Sequence, residues 1–182
     1  MELEEARILA LMATGKPIRA HMAALDETAG DRLVDVFVER YREVRQGAAR
    51  PFPGVTRLLR RLRARGMPIA VVTSKLREDA VAELASTGLD RLVDTVIAFE
   101  DTDEHKPDAA PHLAALRRLG ARGGVGVGDL PTDIQSAQAA GLRTLGVAWG
   151  YSSANVLLAA GADRVCKTAA ELADALDEPP RA

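Results

Sequence analysis

The segment that most restricts the fold is Val125-Gly126-Val127-Gly128-Asp129-Leu130-Pro131-Thr132-Asp133-Ile134. An apolar, glycine-rich strand runs into a carboxylate, and a helix begins two residues later. Pro131 suits a first helical turn because its missing N–H would have no partner there. Asp129 and Asp133 are four apart, so at a helix start they face one point, roughly 5–6 Å apart at Cβ. Two carboxylates at the carboxyl end of a buried strand are costly unless a cation sits between them. Mg²⁺ held by one or two carboxylates and phosphate oxygens is the usual answer. A plainer reading makes Asp129 a helix cap and Asp133 a first-turn acid favoured by the dipole.

The strand in this segment is one of several. Residues 3 to 13, Ile18 to Leu25 and Asp31 to Gln46 have helical spacing, the third with a stripe of Leu33, Val36, Phe37 and Tyr41. Pro51-Phe52-Pro53-Gly54 punctuates the chain as a hinge or boundary. Val55, Leu58, Leu59 and Leu62 then form the apolar side of an amphipathic helix ended by Gly66. Strands are expected at Ile69–Thr73, Asp94–Phe99, Gly123–Gly128, Thr144–Ala148 and Arg164–Cys166. Helices between them are expected from Ser74, from Pro107 and from Asp133, with a capping box at Thr168 and Glu171 before the last. Strands alternating with helices from residue 54 onward predict an α/β fold with a doubly wound, Rossmann-like parallel sheet.

Apolar residues make up 47% of the 182-residue chain and aromatics 3%, so the core must be built from Ala, Val, Leu and Ile. The net charge of -2 gives no general pull toward nucleic acid or membrane. Arg50, Arg57, Arg60, Arg61, Arg63 and Arg65 have a single aromatic, Phe52, among them and none within the helix, and a solvated helix face explains them better than a nucleic-acid patch. Cys166 is the sole cysteine, which points to a reducing compartment. No apolar run approaches the roughly 18 residues of a membrane span. Met1-Glu2-Leu3-Glu4-Glu5 lacks the basic lead of a signal peptide, so the expectation is a soluble, cytoplasmic protein.

Ligands of such sheets gather at the carboxyl ends of the strands. Thr73 and Ser74 follow one strand, Lys106 lies in the loop after the next, and Asp129 follows the third. A hydroxyl near free N–H groups, an ammonium and a metal-binding carboxylate together suit a phosphoryl group. His21, His105 and His112 have no metal-ligand spacing and are read as structural. The run Gly124-x-Gly126-x-Gly128 is not a dinucleotide fingerprint, and no acid between Asp133 and Asp163 is available to hold a ribose.

Val72-Thr73-Ser74-Lys75, Glu104-His105-Lys106-Pro107-Asp108 and Gly128-Asp129-Leu130-Pro131-Thr132-Asp133-Ile134 resemble motifs two, three and four of the haloacid dehalogenase superfamily. The branch they are most similar to is that of phosphoglycolate phosphatases and related pyrophosphatases, and the likeness covers roughly residues 15 to 176. It implies a Mg²⁺-dependent phosphatase of small phosphorylated metabolites. By that resemblance Thr73 binds the transferring phosphoryl group, with Ser74 beside it, and Lys106 neutralises phosphoryl oxygens and nucleophile. Asp129 would ligate Mg²⁺, and Asp133 would support the metal or Lys106. Residues 1–50 would be part of a helical cap and residues 51–182 the α/β core.

The family's first motif, a strand ending in Asp-x-Asp-Gly-Thr that supplies the nucleophile, has no counterpart here. Asp101-Thr102-Asp103 has the carboxylate spacing but neither the preceding strand nor the Gly-Thr. In the family that strand lies between those ending at Thr73 and Asp129. Losing about five buried apolar side chains at roughly 1.5–3 kcal/mol each rivals a domain's net stability of about 5–15 kcal/mol. The expectation is that the natural protein is longer at its N-terminus or that another segment fills the gap. The rival reading is a non-catalytic phosphate- or metal-binding regulator on the same fold. A response-regulator receiver domain fits less well, because its acidic pair comes first in the chain and here it comes last.

Overall fold

The computed structural model describes residues 32, 34–36 and 49–178. In chain order they form α1 (Val55–Ala64), β1 (Ala70–Val72), α2 (Arg77–Thr87), β2 (Thr95–Ile97), α3 (Ala110–Leu119) and β3 (Val125–Gly128). Then follow α4 (Pro131–Ala139), β4 (Arg143–Val147), α5 (Ala154–Ala159), β5 (Arg164–Cys166) and α6 (Ala169–Asp177). Every strand pair is parallel, β1 with β2 and β3 with β4 with β5. The α/β alternation read from the sequence is therefore the architecture. No described helix is long and apolar enough to cross a membrane.

The helices cover the strands from two sides. On one side Leu58 and Leu62 of α1 cluster with Leu145, Val147 and Cys166 of β4 and β5, and with Leu172 and Ala175 of α6. On the other, Ile134 of α4 and Leu157 of α5 pack together, while Ala114 and Ala115 of α3 close over Ile97 of β2. Two glycines of β3 make the α4 contact possible. A Cβ on Gly126 would collide with the Ala137 methyl, and one on Gly128 with Asp133. The Gly-x-Gly-x-Gly run is thus a helix-packing surface and no nucleotide loop.

The described strands fall into two sheets, β1-β2 and β3-β4-β5. Among the described residues β1 is paired only with β2, and β3 only with β4. Helices α3 and α4 pack against each other across this division. The break lies where the resemblance put the family's first strand, between the strands ending before Thr73 and Asp129.

Several expected boundaries move. The helix expected from Ser74 starts at Arg77, because Thr73 Oγ1 takes the Lys75 N–H at 3.2 Å and bends the chain into a short turn first. The helix expected from Pro107 starts at Ala110, after a cis Lys106–Pro107 bond. Val36 belongs to the expected apolar stripe, yet it is 57% exposed while Val34 is 7% exposed. Residues two positions apart on a helix lie about 200° apart around its axis, so burying Val34 turns Val36 outward. Leu33, Phe37 and Tyr41, like the rest of the expected cap at 1–50, lie outside the described residues apart from Ala49, Arg50 and the short piece around Val34. The arginine face of α1 is more than solvated: Arg61 and Arg65 both pair with Asp177 of α6, and Arg63 pairs with Asp94.

At the last helix, Thr168 Oγ1 accepts the Glu171 N–H at 3.2 Å, as a capping box requires. The return bond goes one residue further back, from Lys167 N–H to Glu171 Oε2 at 2.8 Å.

Candidate functional site

Lys106 is the centre of the candidate site. Its side chain is 10% exposed, and its Nζ donates to Asp133 Oδ1 at 2.6 Å and reaches Val72 O, the last carbonyl of β1, at 3.5 Å. One ammonium thus stands between the carboxyl end of β1 and the helix that follows β3. The second oxygen of Asp133 accepts the Leu130 N–H at 3.1 Å, closing the first turn of α4. Both Asp133 oxygens are therefore engaged by protein donors.

Asp129 is held differently. Its Oδ2 accepts the Tyr151 N–H at 2.9 Å, and a Cβ on Gly150 would run into its carboxylate. The turn after β4 can press its backbone against Asp129 only because residue 150 is glycine. Among the described residues no donor meets Asp129 Oδ1. Between the two aspartates, Thr132 has a buried hydroxyl without a hydrogen-bond partner among the described residues. Thr73 and Ser74 stand half-buried at the end of β1, next to the Val72 carbonyl that Lys106 approaches. Because Thr73 Oγ1 accepts from Lys75, its own proton is left to donate outward.

The loop that delivers Lys106 is pinned at several points. Phe99 and His105 stack with centroids 3.9 Å apart. Asp101 accepts from Ala98 N–H at 2.6 Å and Arg118 at 2.8 Å, and also pairs with Arg77. Burial works to raise the Asp101 pKa, but the Ala98 N–H and the two arginines outweigh it and hold the carboxyl below its usual range. An acid committed to these donors is no nucleophile, in keeping with the sequence reading of Asp101-Thr102-Asp103.

Beneath the pair lies a second layer. Ser136, fully buried one turn after Asp133, donates its hydroxyl proton to Asp108 O at 2.5 Å and lies 2.8 Å from His112 Nδ1. The hydroxyl has one proton and a carbonyl can only accept, so His112 must be the donor and carries its proton on Nδ1. Burial pushes the His112 pKa down to about 4; the Lys106 charge adds to the shift and the Asp133 charge opposes it. The ring is neutral at pH 7. His112 is thus a neutral ring bonded to Ser136. The roles of Ser136, Gly150 and the Tyr151 N–H were not apparent from the sequence. The visible trace of the first is a lone hydroxyl on the apolar face of Ile134 and Ala137.

A Mg²⁺ ion can be tested against this geometry. Asp129 has one oxygen open and suits a hard cation. Each Asp133 oxygen already accepts one protein hydrogen bond, from Lys106 or from the Leu130 N–H. No cluster of three or more His, Cys, Asp or Glu suited to a metal forms among the described residues. The rest of an ion's shell would have to come from water, phosphate or other residues.

Parallel strands flanked by helices thus carry a buried lysine–aspartate pair at their carboxyl ends. The chain belongs to the haloacid dehalogenase-like hydrolases, a family of enzymes whose sequence profile matches residues 2–147. It is 31% identical over 149 residues to the pyrophosphatase PpaX of Oceanobacillus iheyensis, covering 81% of this chain and 70% of that one. It is 34% identical over 144 residues to the phosphoglycolate phosphatase of Mesorhizobium japonicum, covering 76% of this chain and 63% of that one. A crystal structure of a putative phosphoglycolate phosphatase from Lactobacillus delbrueckii superposes with a TM-score of 0.76 at 28% identity, over 85% of this chain and 66% of that one. These relatives extend well beyond the span that matches.

Proposed function

We propose that these residues are the phosphate-handling part of a Mg²⁺-dependent phosphatase acting on small phosphorylated metabolites of the phosphoglycolate or pyrophosphate kind. The observation that carries this reading is the Lys106 ammonium held between Asp133 and the Val72 carbonyl at the end of β1, the residue before Thr73. Lys106 neutralises phosphoryl oxygens as charge shifts during transfer, and Thr73 and Ser74 orient the group by donating to it. Asp129 is the carboxylate for Mg²⁺, and Asp133 fixes Lys106. When bound, the ion would supply further positive charge to the phosphoryl oxygens. The names of the relatives support the substrate class.

The nucleophile is not among these groups. We assign it to a strand ending in Asp-x-Asp-Gly-Thr that fills the division between β1 and β3. Residues 51–182 are then the catalytic core and residues 1–50 part of the substrate-facing cap. The single, buried Cys166 supports a reducing, cytoplasmic setting.

The 182-residue chain should hydrolyse phosphoglycolate and p-nitrophenyl phosphate no faster than background under Mg²⁺. Fusing such a strand ahead of Met1 should create Mg²⁺-dependent turnover that Lys106→Ala abolishes. A folded fusion without turnover would leave the non-catalytic phosphate-binding reading in its place. Turnover by the unfused chain would mean that the nucleophile lies elsewhere.

A further inference from the structure

We propose that Ser136 and His112 are positioning residues that hold the Lys106 ammonium on Asp133, an inference that rests on Lys106 belonging to the phosphate site proposed above. Three elements meet at the Ser136 hydroxyl. It lies on α4 one turn beyond Asp133, so the donor site and the carboxylate belong to one rigid segment. It donates to Asp108 O, two residues from Lys106, at 2.5 Å. It accepts from His112 Nδ1, on the helix that continues the lysine's loop, at 2.8 Å. The distance between Lys106 and Asp133 is thereby fixed from behind as well as by their own contact.

Burial gives the arrangement its force. Ser136 is 0% and His112 8% exposed, so neither bond can be exchanged for one to water. Removing the hydroxyl would leave the Asp108 carbonyl and the His112 N–H without partners in a dry layer, and a buried donor or acceptor left bare is costly. The loop can relieve this only by moving, and Lys106 moves with it. A neutral ring at position 112 also links the helices without placing a second cation beside Lys106.

The test follows Lys106 itself, by NMR of the ammonium group in the ¹⁵N-labelled chain. In the wild type the bonded, nearly enclosed ammonium should exchange slowly with water. Ser136→Ala should accelerate that exchange about tenfold or more, equivalent to about 1.4 kcal/mol, with backbone amides of β4 and β5 unchanged. His112→Phe should do the same. His112→Asn, which retains an N–H near the Nδ1 position, should restore most of the protection, a rescue that simple loosening of the core would not give. Unchanged Lys106 exchange in both Ser136→Ala and His112→Phe overturns the proposal. If Ser136→Ala fails to fold, the His112 pair decides alone.

Titration with inorganic phosphate separates this inference from the reading beneath it. Ser136→Ala should weaken phosphate binding when Lys106 is present and have no effect in a Lys106→Ala background. If Lys106→Ala alone leaves phosphate binding intact, the phosphate site is wrong, and this inference falls with it. Equal weakening by Ser136→Ala with and without Lys106 overturns the positioning role alone.

Discussion

The two parts of the sheet are covered to different depths. In β3-β4-β5, Leu145 and Cys166 are fully buried, with α1 and α6 on one side and α4 and α5 on the other. In β1-β2 only Ile97 reaches that state, and Ala70, Val71 and Val72 are all half-buried. A parallel strand is stable when both faces are covered and both edges paired. The first part meets that condition at β4. The second is supported by α2 and α3 and by the His112–Ser136 bond joining α3 to α4. Stability and the candidate chemistry are thus unevenly shared, with the reactive groups at the thinly covered junction.

The largest effect expected from this contrast is on core truncation. Leu145→Ala should cost about 3–5 kcal/mol, the range for a fully enclosed leucine. Val72→Ala, half-buried on the other side of the junction, should cost about 1 kcal/mol. Urea unfolding of both variants measures the difference. Equal losses would mean that β1 is as deeply packed as β4, and the contrast would be gone.

Next in size is the pH response of the junction. The His112 pKa is lowered in the folded chain from 6.5 to about 4. Between those values the unfolded chain binds more protons than the folded one, so stability is present above pH 6.5 and falls as the pH drops toward 4. The full loss is about 3 kcal/mol if the shift is taken at face value. Denaturation midpoints from pH 8 to 4 should show the decline in the wild type and a shallower one in His112→Asn. Parallel curves would place the acid sensitivity outside the junction.

The smallest is the cap of α6. Thr168→Ala removes the bond to the Glu171 N–H and should cost about 1 kcal/mol, lowering the melting temperature by about 2–4 °C. Because α6 covers the thick side, phosphate affinity should be unaffected. A matching loss of affinity would show the two parts to be more tightly coupled than the packing indicates.

Much of this was legible in the chain because it is local. Val125 to Ile134 encodes a strand, a turn and a helix start through glycine spacing and Pro131, and all three formed. Lys106 and Asp133 were singled out from spacing and resemblance, and they meet. What the sequence withheld depends on distant partners. Whether Asp133 would face a metal or Lys106 was set by where the 106–109 loop lands, 27 residues away in sequence. The Ser136 link to Asp108 O spans 28 residues, and the Asp129 bond to Tyr151 N spans 22. Val36 was misplaced because a short apolar run fits two helix faces equally well. The helices start at Arg77 and Ala110, later than the sequence suggests, because Thr73 Oγ1 and Asp108 Oδ1 take the N–H groups of Lys75 and Ala110 in local turns.

The division between β1 and β3 also bears on how the chain behaves in a crowded solution. Among the described residues each of these strands has a strand partner on one edge alone, the Val72 carbonyl of β1 being reached by Lys106 Nζ, and Val127 of β3 is 43% exposed. Bare strand edges are templates on which other chains polymerise. Unpaired edges of this kind invite edge-to-edge self-association. Concentration, and not only sequence, then governs whether this chain remains dispersed.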